Sequence, residues 1–440
     1  MSASLADLPT ITFPDSYELE MPSFLARAAA EHGPIFKHDW MPGQSTVYMV
    51  GPEANEFILR THREHFSSDH GWTPVIGEIF GKGLINMDDP EHARDRKLMN
   101  PGFAIAFMSR YLPIMQRVIA ERTRVWAASD SVDVYQEARK ITFDVAAEAL
   151  AGIPTGPEAD RLRELFYAII GAQFTTNIQT EQEWFAHITP VHAELRTMLL
   201  RMIAERRAEP EDAPRSDVLA LLVHARDEQG GGLSDEALLG HLNILLVAGH
   251  ETSTTLTAWL LYELATHPDE LAHVHAELDT ALPRPEAPAS IEMLRGLHVL
   301  GNALTEAGRL HPPAGNVPRG VVRPFEFAGY TIPAGARVLY SIAASHRLPS
   351  VFRDPDRFDP DRFATPRAED RATPFALVTF GGGPRVCIGM NFAQTEIKAL
   401  AAHLLRTHTV APVAGHEPAM VYFSPVGFIP TGVELRVMAR

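Results

Sequence analysis

One cysteine, Cys387, stands in a chain of 440 residues. An intrachain disulfide is therefore excluded, as is a zinc or iron–sulfur site built from several cysteines. Basic charge is also scarce. Lys and Arg number 39 against 55 Asp and Glu, so the formal net charge is -16. A surface that grips nucleic-acid phosphates needs the opposite balance, and no nucleic-acid partner is expected. No run of about 18 or more uncharged apolar residues occurs, so no membrane-spanning helix is expected. The opening segment MSASLADLPTITFPDSYE lacks the basic stretch and apolar core of a secretory signal. The chain is expected to be soluble and cytoplasmic. No strand–GxGxxG–helix unit is evident, which leaves no flavin or nicotinamide site.

What is present suits a large core: 45% of residues are hydrophobic and 21% charged. PIFKHDW and STVYMVG read as strands of a small sheet. From about residue 53 to 310 apolar residues recur at three- and four-residue spacing, the helical pattern. The longest such run, 235–266, is apolar nearly all round and predicts a helix buried through the centre. Ser234 is its expected N-cap, with Asp235 and Glu236 at the positive end of the helix dipole. Polar, proline-rich stretches at 209–217 and 282–290 read as surface connections, and 228–236 as a loop running into the long helix. Past residue 311 prolines and glycines become dense and strand patterns return, as in FEFAGYTIPAGARVLYSI. The C-terminal GFIPTGVELRVMAR alternates like a strand or hairpin.

The chemistry-bearing stretch is FGGGPRVCIGMNFAQTEIKAL, residues 380–400. A lone cysteine can be a small buried hydrophobe, a nucleophile or a metal ligand. Glycines on both sides allow backbone N–H groups to face the sulfur, and the helix after Gly389 adds positive potential; both favour thiolate. Gly389 has no side chain to strike a flat cofactor, and Arg385 can pair with an anionic group. A nucleophile reading needs a histidine base and leaves Phe380, the glycine run and Arg385 unexplained.

This loop resembles the haem-binding loop of the cytochrome P450 family, Phe-x-x-Gly-x-Arg-x-Cys-x-Gly. Phe380, Gly383, Arg385, Cys387 and Gly389 fill every specified position. The resemblance implies haem b (iron protoporphyrin IX) with Cys387 as the axial thiolate, which favours O–O cleavage. Three further segments agree with the family. Glu306 and Arg309 form its Glu-x-x-Arg, ahead of Pro312 and Pro313, and Arg362 in PDRF is the third member of a structural triad. VAGHETSTT resembles the oxygen-activating segment. There Ala248 and Gly249 leave space over the haem, and Glu251 and Thr252 are the acid–alcohol pair that relays protons. A plain alternative is that Thr252 bonds back to a carbonyl of its own helix. His92 and Arg96, with Arg319 and Arg385, match the residues that reach the haem propionates. Arg94 and Lys97 are candidates for docking an acidic redox partner. His250-Glu251 invites a zinc-protease reading, but Thr254 stands where the second histidine is needed. One departure is His346-Arg347-Leu348, where many members carry Asn-Arg-Asp.

The resemblance implies a mainly α fold with minor β sheets: an N-terminal extension over 1–19, then one haem domain over 20–440. It implies a monooxygenase that activates O2 and hydroxylates or epoxidises a hydrophobic small molecule. Electrons would come from a separate ferredoxin or flavodoxin with its reductase, because no residues remain for a fused one. Two other readings are a peroxygenase driven by hydrogen peroxide and a non-enzymatic haem-thiolate sensor; the Glu251–Thr252 pair speaks against both. By analogy the substrate pocket draws on 67–87, 165–185, Leu242 to Ala248, Ala314 to Val317 and Tyr422 to Val426. These segments are apolar, and the N-terminal portion resembles members acting on sterol-, retinoid- and terpenoid-type molecules.

Overall fold

The computed structural model describes residues 3–41, 43–171, 181–210, 217–284, 287–423, 426–429 and 431–440. The loop expected over 209–217 and parts of two expected pocket segments, 165–185 and Tyr422 to Val426, lie largely or partly outside these residues.

The centre is a 32-residue helix, Asp235–Thr266, bounded as the sequence predicts. Ser234 Oγ accepts the Ala237 N–H at 3.2 Å, which satisfies one of the free donors at its start. At 1.5 Å per residue the helix runs about 48 Å, enough to cross the whole body. Helices Val134–Ala151, Met390–Leu405, His298–Leu310 and Glu181–Ala208 pack around it. One continuous apolar core joins them.

A five-stranded sheet forms one flank, in the order Ile35–Met41, Gln44–Met49, Arg337–Ser341, Asn316–Val321 and Phe66–Ser67. The first two are the antiparallel pair expected from PIFKHDW and STVYMVG, in register Lys37 to Val47. Residues ahead of position 20 belong to the same body. Ala3–Ser4 runs parallel to Tyr330–Ile332, and Leu8 and Ile11 are buried. The alternating C-terminus splits in two. Val426–Phe428 pairs with Val421–Phe423, whereas Glu434–Ala439 pairs with His408–Pro412 in another sheet. Gly432, at φ +71, turns the chain between them.

Gly240 shows how tightly the central helix is seated. A Cβ there would lie 2.0 Å from the Lys82 carbonyl oxygen. Backbone cannot yield as a flexible side chain can. Gly240→Ala is expected to cost about 1–3 kcal/mol of stability, read as a lower urea midpoint with an unchanged slope.

Candidate active site

From Leu238 to Leu261 the central helix is buried except at Ile244, Val247, Ala248, Gly249 and Thr252. Ile244, Ala248 and Thr252 are four apart and so form one stripe along a single face. Ala248 is exposed, in the middle of a helix that is otherwise mostly buried. Thr252 Oγ donates to the Ala248 carbonyl at 2.8 Å, the back-bond that was the plain alternative. The hydroxyl's lone pairs stay free on the accessible face. Gly249 differs from expectation. A Cβ there would meet Leu150 at 3.3 Å and Ala146 at 3.8 Å, so its smallness serves helix packing.

Cys387 is exposed, yet burial pushes its thiol up, opposed by the Gly389 N–H and by Arg96. A sulfur that is both accessible and surrounded by protein looks onto interior space. Its loop is tightly held. The Cys387 N–H donates to the Phe380 carbonyl at 2.8 Å, and Gly383 adopts φ +57 at a place where any Cβ would collide with the Leu59 carbonyl oxygen. The Gly389 N–H favours thiolate, as expected of this loop, and desolvation outweighs it. Bonding to a metal deprotonates such a thiol outright.

Arg96 acts on the sulfur, and His92, Arg385 and Arg319 follow it as a connected group of basic residues. His92 and Arg96 lie on helix Glu91–Phe103, Arg319 on strand Asn316–Val321, and Arg385 in the cysteine loop. Burial and then Arg319 lower Arg385 to about 10. Burial and then Arg385 lower His92 to about 4, so here it offers a hydrogen bond rather than a charge. Arg96 is also lowered by burial, while Cys387 supports its charge. Arg385 reaches the Met87 carbonyl at 2.7 Å and Asp88 at 3.7 Å, and Arg319 the Pro318 carbonyl at 2.7 Å. A guanidinium depressed by burial and by a neighbouring guanidinium, as Arg385 is, marks a site built for anionic groups. Cys387, Ala248 on the accessible face of the central helix and this group of basic residues would suit an anionic cofactor that carries a metal.

Arg94 and Lys97 are already paired. Arg94 binds Asp227 at 2.7 Å and Lys97 meets Glu228. The acids of the 226–232 loop thus neutralise the two cations expected at a docking patch.

The triad residues meet. Glu306, Arg309 and Arg362 are fully buried. Arg309 Nε and Nη2 donate to the two Glu306 oxygens at 2.7 and 2.8 Å, and Arg362 Nε donates to Oε1 at 2.8 Å. His346 joins them, a role the sequence did not signal. Its Nε2 accepts the Val378 N–H at 3.0 Å, and its Nδ1 faces the Arg309 carbonyl at 3.3 Å. Burial lowers it to about 3, which keeps Nε2 free to accept.

Sequence reasoning also missed the partners of Glu251. Arg139 Nε donates to Glu251 Oε1 at 2.7 Å, and His250 Nε2 lies 3.1 Å from the same oxygen. Burial raises the carboxyl, but His250 and Arg139 overcome it and hold Glu251 down at about 2. Its Oε2 is buried without a partner. Arg139 stacks on the Tyr167 ring, 3.8 Å from its centroid.

The family model described as cytochrome P450 matches residues 12–437. The chain belongs to the cytochrome P450 family. It is therefore a monooxygenase whose cofactor is haem b, and the residues described above fit that group. Cytochrome P450 136 of Mycobacterium tuberculosis is 32% identical over 393 residues, 88% of this chain and 78% of that one. The sterol 14alpha-demethylase of Mycolicibacterium vanbaalenii is 30% identical over 371 residues, 83% of this chain and 81% of that one. A retinoic-acid-bound cyanobacterial P450 superposes with a TM-score of 0.87 at 27% identity, over 100% of both chains. Among the described residues no helix is long and apolar enough to cross a membrane.

Neutralising the triad tests its part. Glu306→Gln leaves two buried guanidinium groups without their shared anion and is expected to cost about 3–5 kcal/mol. Urea denaturation of the haem-loaded protein reads this, with faster haem transfer to an apo-globin acceptor as the companion signal.

Proposed function

We propose that this P450 binds haem through Cys387 and oxidises a hydrophobic molecule of sterol, retinoid or terpenoid type, by hydroxylation or epoxidation. Its electrons come from a separate ferredoxin or flavodoxin and its reductase. The observation that carries the reading is the accessible Ile244–Ala248–Thr252 stripe in an otherwise buried helix, together with an accessible sulfur at Cys387. The sterol demethylase and the retinoic-acid-bound relative support the substrate class.

In this reading the haem supplies iron that activates O2, with sulfur donation assisting O–O cleavage. Arg96, Arg319 and Arg385 hold the propionates, and His92 adds an N–H. Ala248, exposed on the central helix, would leave room there for a small reactant. Thr252 Oγ, already donating to Ala248, accepts a hydrogen bond from incoming water and so fixes where a proton can be delivered. Glu251 at about 2 carries no proton near neutrality. It serves a relay only when its Arg139 contact opens, so Arg139 is the gate of that carboxylate. Ile244 and Val247 give the accessible face an apolar character that favours a hydrophobic substrate.

The Cys387 assignment is read from the ferrous carbon-monoxide complex. The red-shifted Soret band of thiolate ligation is expected in the wild type and lost in Cys387→Ser; a histidine-type band in the wild type overturns it. Thr252→Ala is expected to keep that band while diverting most reducing equivalents to hydrogen peroxide. Product and peroxide yields per NAD(P)H with a surrogate redox pair measure this, and unchanged coupling removes Thr252 from the relay. Spin-state titration with sterols, retinoids and terpenoids tests the substrate class. No shift with any of them, alongside shifts with short fatty acids, contradicts it.

A further inference from the structure

Phe375, five residues ahead of Phe380, holds a backbone conformation that its side chain disfavours. Its φ is +57, in the left-handed region that a bulky residue rarely adopts. Such an outlier persists only where its surroundings over-determine it, and outliers of this kind gather at functional sites. What holds Phe375 comes from 320 positions away. Asn55, in helix Pro52–Glu56, is fully buried, and its Nδ2 donates to the Phe375 carbonyl at 3.1 Å. The Oδ1 of the same carboxamide is buried without a partner. Burying an amide with half of it unpaired is costly, so Asn55 is a poor choice for packing alone. Its contribution is the bond to Phe375.

The Phe375 ring in turn lies against the cysteine loop. A Cβ on Gly382 would come within 2.8 Å of that ring, and one on Gly383 would collide with the Leu59 carbonyl oxygen. Leu59 and Arg60 belong to Phe57–Thr61, a π-helical stretch that directly follows the helix of Asn55. Irregularities of this type are frequent at functional sites. The Arg60 guanidinium lies over the Phe375 ring, 5.2 Å from its centroid. Residues 55 to 60 thus supply a donor to the Phe375 carbonyl, a cation over its ring and a carbonyl that only glycine can approach. The turn they grip leads straight to the ligand. The Arg385 N–H donates to the Gly382 carbonyl and the Val386 N–H to the Gly383 carbonyl, both at 3.2 Å, and Cys387 follows.

We propose that Asn55 and Phe375 form a clasp that sets how closely the Cys387 sulfur meets its metal. Asn55 fixes the strained backbone of Phe375, the Phe375 ring fixes the Gly382–Gly383 turn, and the turn fixes Cys387. Both act through the loop, so both are positioning residues. The inference rests on a haem seated at Cys387. The clasp is separate from the Glu306 triad. The triad reaches the loop through His346 and the Val378 N–H, on the chain ahead of Phe380, whereas the clasp bears on the glycine turn itself. Partners that orient a metal ligand also tune the metal. Sulfur donation falls steeply with distance, so a slackened turn shows in the properties of the iron before it shows in global stability.

The haem-loaded protein and its variants test this. In Asn55→Ala the midpoint potential should move to a more positive value, because weaker sulfur donation stabilises the ferric state less. The iron–sulfur stretching band of the ferric protein, read by resonance Raman, should broaden and fall in frequency. The red-shifted Soret band of the ferrous carbon-monoxide complex should decay about tenfold faster in sub-denaturing urea, the weight of one hydrogen bond. Phe375→Leu, which takes the flat ring from Gly382, should do the same, and Phe375→Tyr, which keeps it, should match the wild type. The double variant Asn55→Ala/Phe375→Leu should be no worse than the stronger single one, since the two residues act as a unit. A merely structural role lowers the urea midpoint and leaves the potential and the stretching band in place. That result overturns the proposal, and so do additive effects in the double variant. Should Asn55→Ala not load haem, Phe375→Leu decides, and an unchanged potential and stretching band there overturn the proposal. A wild type without the thiolate Soret band counts instead against Cys387 as ligand, which separates the two failures.

Discussion

One carboxylate organises the proximal half of the molecule. Glu306, fully buried, shares its two oxygens between Arg309 and Arg362, and the Asp359 N–H also donates to it at 3.0 Å. Removing a charge trio from solvent costs several kcal/mol per ion unless every donor is met. Here the surplus guanidinium protons are met by carbonyls, including His346 O at 2.8 Å and Pro355 O at 2.6 Å. The irregular segment from 353 to 362 is thereby fixed to helix His298–Leu310 although it has little regular structure of its own. His346 extends the anchor to Val378, two residues before Phe380, whose carbonyl holds the Cys387 amide. Backbone polar groups thus help set the position of Cys387, alongside the packing of Phe380 and Ile388 on the core.

The site obeys a different electrostatic rule. Around Glu306 charges balance within the protein; around Arg385 they do not. Arg319, Arg385 and Arg96 share few acids, and desolvation weakens the charge of the last two. Glu251 lies at the other extreme, ionised and clamped by Arg139 and His250. The protein thus concentrates uncompensated positive charge at one edge of the accessible space and compensated negative charge on the opposite helix. Such imbalance is tolerated where function demands it and little elsewhere.

The sequence made visible whatever depends on residue type at short, fixed spacing. The Cys387 loop, the Glu306–Arg309 pair, the Ser234 cap and the bounds of the central helix all declare themselves within a few residues. What escaped depends on pairings across long separations or on which way a side chain turns. Arg139 stands 112 positions from Glu251, and nothing local marks them as partners. Gly249 suits an open space as well as a helix contact, and only the packing of Leu150 decides. Arg94 and Lys97 read as free cations because the acids that pair with them arrive from residues 227–228.

The single cysteine has a practical side. Cys387 is the only thiol in 440 residues and its sulfur is reachable from solvent. A small alkylating reagent therefore reports on one address. Iron bound to that sulfur would shield it, so the labelled fraction in a preparation counts the molecules without cofactor. The protein carries its own gauge of haem loading, with no background from other thiols to subtract.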